Sequence, residues 1–108
     1  MSEQVRDCRT RKTDGDWGAG QDDQARLVSV LMEPQRIKIL RLLRDGELCV
    51  CEIERSLGIA QNLVSHHLRV LRDAGLVASR REGQFVFYRR QDERVKQLVS
   101  FLNLLLGT

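Results

Sequence analysis

Cysteine is the residue type with the most distinctive chemistry in this chain. Two cysteines stand at positions 49 and 51, and a third, Cys8, lies near the N-terminus. Three is an odd number and makes no disulfide framework, so in a reducing compartment they are free thiols or metal ligands. Thiolates select soft, thiophilic ions. Cys49 and Cys51 are therefore candidate ligands of a thiophilic ion, the alternative being small core residues, and Cys8 is the remaining thiol.

The spacing of Cys49 and Cys51 limits how they can share an ion. In a regular helix, side chains two residues apart point about 200° away from each other. The two thiols can converge only if Cys49 lies before the helix or if the ligand distorts the first turn. A position at a helix N-terminus also lowers the pKa of a thiol, which favours thiolates near neutral pH.

A second chemically useful group lies in residues 60–76. Val64, Leu68 and Leu71 recur at the helical period and predict a packed face, on which His67 is expected to have a structural role. Gly75 predicts the end of this helix. The opposite face carries side chains that suit base edges and phosphates, Asn and Gln for adenine, Arg for guanine, Ser and Arg for phosphate. These residues are Gln61, Asn62, Ser65, His66, Arg69 and Arg72.

Several further elements are needed to position these two groups. Residues 1–20 lack an apolar period and are predicted to form a flexible N-terminal arm, and residues 21–108 a single domain. Residues 50–76 are predicted as a short helix, a turn at 57–59 and a longer helix, the helix-turn-helix layout. The predicted helices run from Asp22 or Asp23 to about Met32, from Pro34 to about Arg44, from Cys51 to Leu57, and over 60–74.

After Gly75 the pattern changes to period two, and Gly83 between polar residues predicts a β-hairpin. Arg80 and Arg81 flank its tip, so the hairpin is expected to contact DNA phosphates as a wing, the alternative being a plain surface hairpin. A final helix is predicted with Asp92 as its N-cap. Its last nine residues are apolar on all sides, which predicts a partner surface and favours a two-fold homodimer.

Composition excludes several classes of protein. The net charge of +3 and the 42% of apolar residues fit a nucleic-acid-binding domain without proving it. No apolar run approaches the ~20 residues needed to span a bilayer, so a cytoplasmic protein with no membrane partner is expected. An enzyme is not expected, because the chain has no C-x-x-C, no paired nucleophile and base and no phosphate-cradling loop.

Three ordered segments, 47–53, 65–77 and 81–83, resemble the ArsR/SmtB family of winged-helix repressors. The first reads ELCVCEI, the second SHHLRVLRDAGLV and the third REG. The resemblance implies a mainly α fold with a β-hairpin wing, in the order α1-α2-α3-α4-β-β-α5, and a homodimer joined through α1 and α5. It also implies a recognition helix at 60–74 and a repressor that leaves double-stranded operator DNA when an inducing metal or metalloid binds.

The resemblance also suggests a set of ligands. Enteric-type arsenical repressors of the family look like Cys-x-Cys-x-x-Cys, but here Glu54 stands at the third position, so Cys8 is expected to be the third ligand, as in the cadmium/lead branch. Three thiolates fit As(III) or Sb(III), the favoured inducers, while Cd(II) or Pb(II) is the alternative. A redox or persulfide sensor using the same thiols is a further interpretation. No organic cofactor is expected. A zinc site on the last helix is not expected either, because that helix has no His.

Overall fold

The computed structural model describes residues 23–107. The arm predicted for residues 1–20, with Cys8 in it, lies outside them. In chain order the elements are α1 (23–30), α2 (Pro34–Leu42), a 3-10 turn (Leu43–Asp45), β1 (Leu48–Cys49), α3 (Val50–Leu57), α4 (Gln61–Asp73), β2 (Val77–Glu82), β3 (Phe85–Arg90) and α5 (Asp92–Leu105). The mainly α winged helix-turn-helix with a β-hairpin is confirmed.

The helix-turn-helix forms because α3 ends at a glycine and α4 buries one stripe. Gly58 has a φ of 69°, a left-handed conformation that costs least for a residue without a Cβ. Val64, Leu68 and Leu71 are fully buried, each contributing on the order of 1.5–3 kcal/mol. The rest of the core comes from every helix and from the start of the wing: Leu27, Ile39, Leu43, Ile53, Ala74, Leu76, Val77, Tyr88 and Leu98.

The buried face of α2 differs from the sequence pattern, in which Ile37, Leu40 and Leu43 form one stripe that Ile39 and Leu42 widen. Ile39 and Leu43 are buried, whereas Ile37, expected in the stripe, is exposed. Every face of α2 except its basic one carries an aliphatic residue, so periodicity alone could not select between two neighbouring stripes. Pro34 occupies the first turn, as predicted, and Glu33 caps the helix by accepting a hydrogen bond from the Gln35 N–H.

The wing is a three-stranded antiparallel sheet in the order β1-β3-β2. Strands β2 and β3 form the predicted hairpin, and Gly83 at its tip has a φ of 63°. Glu47 and Leu48 predict only a short extended link into α3, but Leu48 and Cys49 are paired with β3 as strand β1. Cys49 therefore belongs to the sheet as well as to the beginning of α3.

Helix α5 is joined to the rest of the fold by arginines. Asp92, predicted as its cap, is its first helical residue, and Gln91 is the N-cap without a side-chain bond. Asp92 instead pairs with Arg90 at 2.7 Å. Arg94 pairs with Asp23 at 2.8 Å and donates to the Ala74 carbonyl at 3.1 Å, joining α1, α4 and α5. No helix in the described part of the chain is long and apolar enough to cross a membrane.

Candidate thiol site and DNA interface

The two neighbouring cysteines meet at the N-terminus of α3. Cys49 is the N-cap residue, with extended backbone angles (φ −83°, ψ 164°), and Cys51 is the second residue of the helix. Because Cys49 precedes the helix, the divergence of i and i+2 side chains within a helix does not apply to this pair. The first of the two geometries left open by the spacing is therefore the one observed, and both cysteines line one groove.

A capping box with cysteine in the usual serine or threonine position holds the Cys49 end. The Cys49 backbone N–H donates to Glu52 Oε1 at 2.9 Å, and the Cys49 thiol faces the backbone N–H of Glu52. The hydrogen bonds from Cys49 lower the pKa of the Glu52 carboxyl. Serine, threonine, aspartate and asparagine are the preferred N-cap residues, and cysteine is not among them. Capping alone therefore does not account for a cysteine here.

The expectation that the helix terminus lowers the pKa of the thiols is wrong for Cys49. The hydrogen bond with Cys51 raises the pKa of the Cys49 thiol, and burial raises it further. The backbone N–H of Glu52 acts in the expected direction but is outweighed. Cys49 is only 7% exposed, whereas Cys51 is exposed. One thiol is thus protected and protonated, and its partner faces solvent.

No third ligand joins the two thiols within residues 23–107, where no cluster of three His, Cys, Asp or Glu side chains is arranged to hold a metal ion. Cys8, the predicted third ligand, lies outside these residues. Glu54, one turn after Cys51, lines the same groove as both thiols without completing such a cluster. The described part of the site thus provides two soft donors at one helix end, which fits a thiophilic ion that takes its remaining ligand from elsewhere.

The thiol site opens into a groove of about 280 Å³ between α3, α4 and the tip of the wing. It therefore adjoins the face that the sequence predicts to read DNA, which the spacing of the cysteines did not reveal. Its lining includes Cys49, Cys51 and Glu54, then Gln61 and Ser65 of α4, and Gln84 and Phe85 of the wing.

Helix α4 presents the predicted polar face to solvent. Five residues of this helix that are predicted to contact DNA are exposed: Gln61, Asn62, Ser65, His66 and Arg69. His67 is buried, as expected, and its Nδ1 accepts a hydrogen bond from Arg36 Nε at 3.1 Å. Burial, and then the charge of Arg36, lower the pKa of His67. The neutral imidazole thus fixes α4 against α2, and Arg36 also donates to the Val30 carbonyl at 3.2 Å.

The two wing arginines predicted to contact phosphates have different surroundings. Arg81 is exposed, with no carboxylate partner in the described range. Arg80 binds Glu47 through Nε and a terminal nitrogen, at 2.8–3.0 Å, and Glu82 through the other, at 2.7 Å. These bonds raise the pKa of Arg80, and the Arg80 guanidinium lowers that of Glu47. Glu47 was not recognised from the sequence, because nothing local links it to a residue 33 positions later.

Comparison with known proteins gives one consistent result. Residues 33–79 match the family model described as "Bacterial regulatory protein, arsR family". The chain is 41% identical over 79 residues to a cadmium resistance transcriptional regulatory protein homolog of Staphylococcus aureus, covering 72% of this chain and 65% of that one. An arsenic resistance transcriptional regulator of Pseudomonas putida is 48% identical over 54 residues, covering 50% of this chain and 42% of its own. The chain thus spans less than two thirds of either regulator.

A solved structure extends the likeness to the whole described fold. HlyU from Vibrio cholerae superposes with a TM-score of 0.68 at 34% identity, covering 82% of this chain and 97% of that one.

Proposed function

Since the chain belongs to the ArsR family of bacterial transcriptional regulators, we propose that it is a homodimeric repressor of an operator, released by As(III) or Sb(III). The relatives named above are transcriptional regulators rather than enzymes. The inducer binds Cys49 and Cys51. The observation that carries this proposal is the pair of thiols at the N-terminus of α3, which share one groove with the exposed polar face of α4.

The proposal of DNA binding rests on the helix-turn-helix and on the polar and basic side chains that it and the wing expose. Gln61, Asn62 and Arg69 are side chains that hydrogen-bond to base edges in the major groove, while Ser65 and Arg81 suit phosphates. All five are exposed, so none must be withdrawn from the core to reach DNA. The buried His67–Arg36 contact keeps α4 in a fixed position on α2. A recognition helix held in this way enters the groove as a rigid element.

The ion binds through sulfur. Arsenous acid and three thiols exchange three S–H protons and three hydroxides for three As–S bonds and three waters, so a third thiol is required beside Cys49 and Cys51. We assign that position to Cys8, the remaining cysteine of the chain. Glu54 offers a hard oxygen, which is a poorer ligand for trivalent arsenic and a better one for Cd(II). This donor set favours As(III) or Sb(III) over Cd(II) or Pb(II).

Release follows from where the ion binds. Drawing Cys49 and Cys51 onto one ion replaces the hydrogen bond between them and reshapes the first turn of α3, and α3 continues through Gly58 into α4. The ion also lies in the groove that separates α4 from the wing tip. The two reading helices of the dimer then no longer match successive major grooves. A coupling of a few kcal/mol between the two ligands is enough for induction.

The dimer is supported by the apolar surface of α5. Val99, Leu102 and Leu105 are exposed in the single chain, Leu105 at 66%. Solvent contact over three or more neighbouring aliphatic side chains is unfavourable, and a two-fold partner of the same sequence would cover them. A dimer also places two copies of α4 at a fixed spacing, which a palindromic operator requires.

The test is a fluorescence anisotropy titration of the reduced protein on its own upstream DNA. Arsenite, antimonite, cadmium, lead and zinc are compared for the wild type and for Cys49→Ser, Cys51→Ser and Cys8→Ser. Release of the wild type by As(III) and Sb(III), lost in Cys49→Ser and Cys51→Ser and weakened in Cys8→Ser, supports the proposal.

Two other outcomes would redirect the proposal. Release by Cd(II) or Pb(II), but not by arsenite, would replace the inducer and keep the site. Release by peroxide with no effect of any ion would make the thiols a redox sensor and reject the ion site.

A further inference from the structure

Each nitrogen of the Arg80 guanidinium donates to a carboxylate, and the side chain is 46% exposed. Its Nε and one terminal nitrogen form a fork on the carboxylate of Glu47, and the other terminal nitrogen pairs with Glu82 at 2.7 Å. Its Cζ atom lies over the ring of Phe87, 4.8 Å from the centroid. We call Arg80, Glu47, Glu82 and Phe87 the Arg80 cluster. The remaining N–H of each terminal nitrogen lies beside the carboxylates of Glu47 and Glu82, whose negative charge disfavours a phosphate there.

The cluster continues directly to the thiol site. In the three-stranded sheet Cys49 is paired with Phe87, and Phe87 with Arg80. Side chains of directly opposed residues project from the same face of a sheet. Cys49, Phe87 and Arg80 therefore form one row across β1, β3 and β2. The next row, of Leu48, Tyr88 and Ser79, projects from the other face, where Tyr88 is buried.

A second connection between the thiol site and the wing runs through the backbone from Glu47 to Cys49. Glu47 is two residues before Cys49, so the Glu47–Arg80 ion pair attaches the segment leading to Cys49 to strand β2 of the wing. Strand β1 is only two residues long, so its ladder with β3 provides little resistance to displacement. The bidentate ion pair and the contact with the Phe87 ring are thus the side-chain contacts that couple the position of the wing to that of this segment.

We propose that Arg80 is a positioning residue that transmits ion binding at Cys49 to the wing, and is not a phosphate contact. This inference rests on the proposed function. An ion that draws Cys49 toward Cys51 displaces the Cys49 end of the row, and the Arg80 cluster carries that displacement to the hairpin. Arg81 projects from the opposite face of β2, and its exposed side chain is the phosphate contact at this part of the wing.

Four variants separate these roles. Arg80→Lys keeps the positive charge but loses the planar fork and the stacking, and Glu47→Gln removes the carboxylate without touching any basic group. Arg80→Gln and Arg81→Gln each remove one positive charge at neighbouring positions, and they form the matched pair for the salt dependence. For each protein, three quantities are measured: arsenite binding from thiolate–arsenic absorbance, operator affinity over a range of salt concentrations, and the ratio of operator affinities without and with saturating arsenite. Thermal unfolding confirms that each variant is folded.

In Arg80→Lys and Glu47→Gln we expect arsenite binding and the salt dependence of operator binding to match the wild type, while the affinity ratio falls about tenfold, within the range of allosteric couplings. In Arg81→Gln the affinity ratio is kept, and the slope of log K against log salt decreases by about 0.9 per lost phosphate contact. Two results would overturn the inference: an unchanged affinity ratio in both cluster variants, or a loss of slope in Arg80→Gln equal to that in Arg81→Gln.

The same measurements distinguish a failure of the proposed function from a failure of the role assigned to Arg80. If arsenite does not bind the wild type or does not release it, the ion site is wrong and the transmitting role of Arg80 fails with it. If the wild type is released and the cluster variants are released equally well, only the role of Arg80 is wrong. The salt-slope comparison needs no inducer, and it decides in either case whether Arg80 contacts phosphate.

Discussion

Replacing Cys49 with serine should separate folding from sensing. Cys49 caps α3, with its N–H on Glu52 Oε1 at 2.9 Å and its sulfur facing the Glu52 N–H. Serine accepts the same hydrogen bond and is a preferred N-cap residue. The change should therefore alter the free energy of unfolding by less than about 1 kcal/mol. Cys49→Ala removes the acceptor and should lower the free energy of unfolding by about 0.5–2 kcal/mol. The two variants together thus measure how much the cap contributes to stability.

In contrast to stability, the release of DNA by arsenite should be lost in Cys49→Ser. A serine hydroxyl does not replace a thiolate toward As(III), so Cys49→Ser should bind operator within about threefold of the wild type, a change below about 0.7 kcal/mol, yet remain bound at arsenite concentrations that release the wild type. Urea unfolding of the reduced proteins and DNA anisotropy measure the two effects. Release of Cys49→Ser with an unchanged midpoint would refute the site. A loss of more than about 2 kcal/mol in stability would refute the capping argument.

Three further predictions concern the scaffold. Gly58→Ala should cost about 1–2 kcal/mol in urea unfolding, because φ is +69° while no atom lies within 4 Å of the added Cβ; an unchanged midpoint would contradict this. The pKa of His67 is lowered from 6.5, so as the pH falls the unfolded chain takes up the proton before the folded one. The free energy of unfolding should therefore fall below about pH 6.5 in the wild type, and fall less in His67→Gln. Equal pH profiles of the two proteins would argue against this role of His67. Leu102→Glu should convert a dimer into a monomer in sedimentation velocity without loss of helicity, and a variant that stays dimeric would place the interface elsewhere.

Local patterns were enough to predict most of the fold. The buried stripe of α4 follows from a 3.6-residue period, and the left-handed glycines at 58, 75 and 83 mark the ends of helices and the hairpin tip where they were expected. These features depend on residues a few positions apart. The buried side of α2 could not be predicted in the same way, because aliphatic residues on neighbouring stripes compete for one core.

The site was predictable only in part, because its decisive contacts are distant in sequence. The pairing of β1 with β3 joins Cys49 to Phe87, and the Arg80–Glu47 ion pair spans 33 residues. Neither contact has a local signature, so Arg80 was interpreted as a phosphate contact from its place in the hairpin alone. The direction of the pKa shift of Cys49 was missed for the same reason: it depends on burial and on a hydrogen bond with Cys51, not on the helix end.

The most direct test of the account records ion binding and DNA release in one experiment. Arsenite is titrated into the reduced protein on labelled operator, while thiolate–arsenic absorbance and DNA anisotropy are followed together. We expect both signals to reach their end point at one ion per protomer, and both to be lost in Cys51→Ser. Absorbance that saturates while the anisotropy stays at its bound value would show that the thiols hold the ion without controlling DNA, and would contradict the central claim.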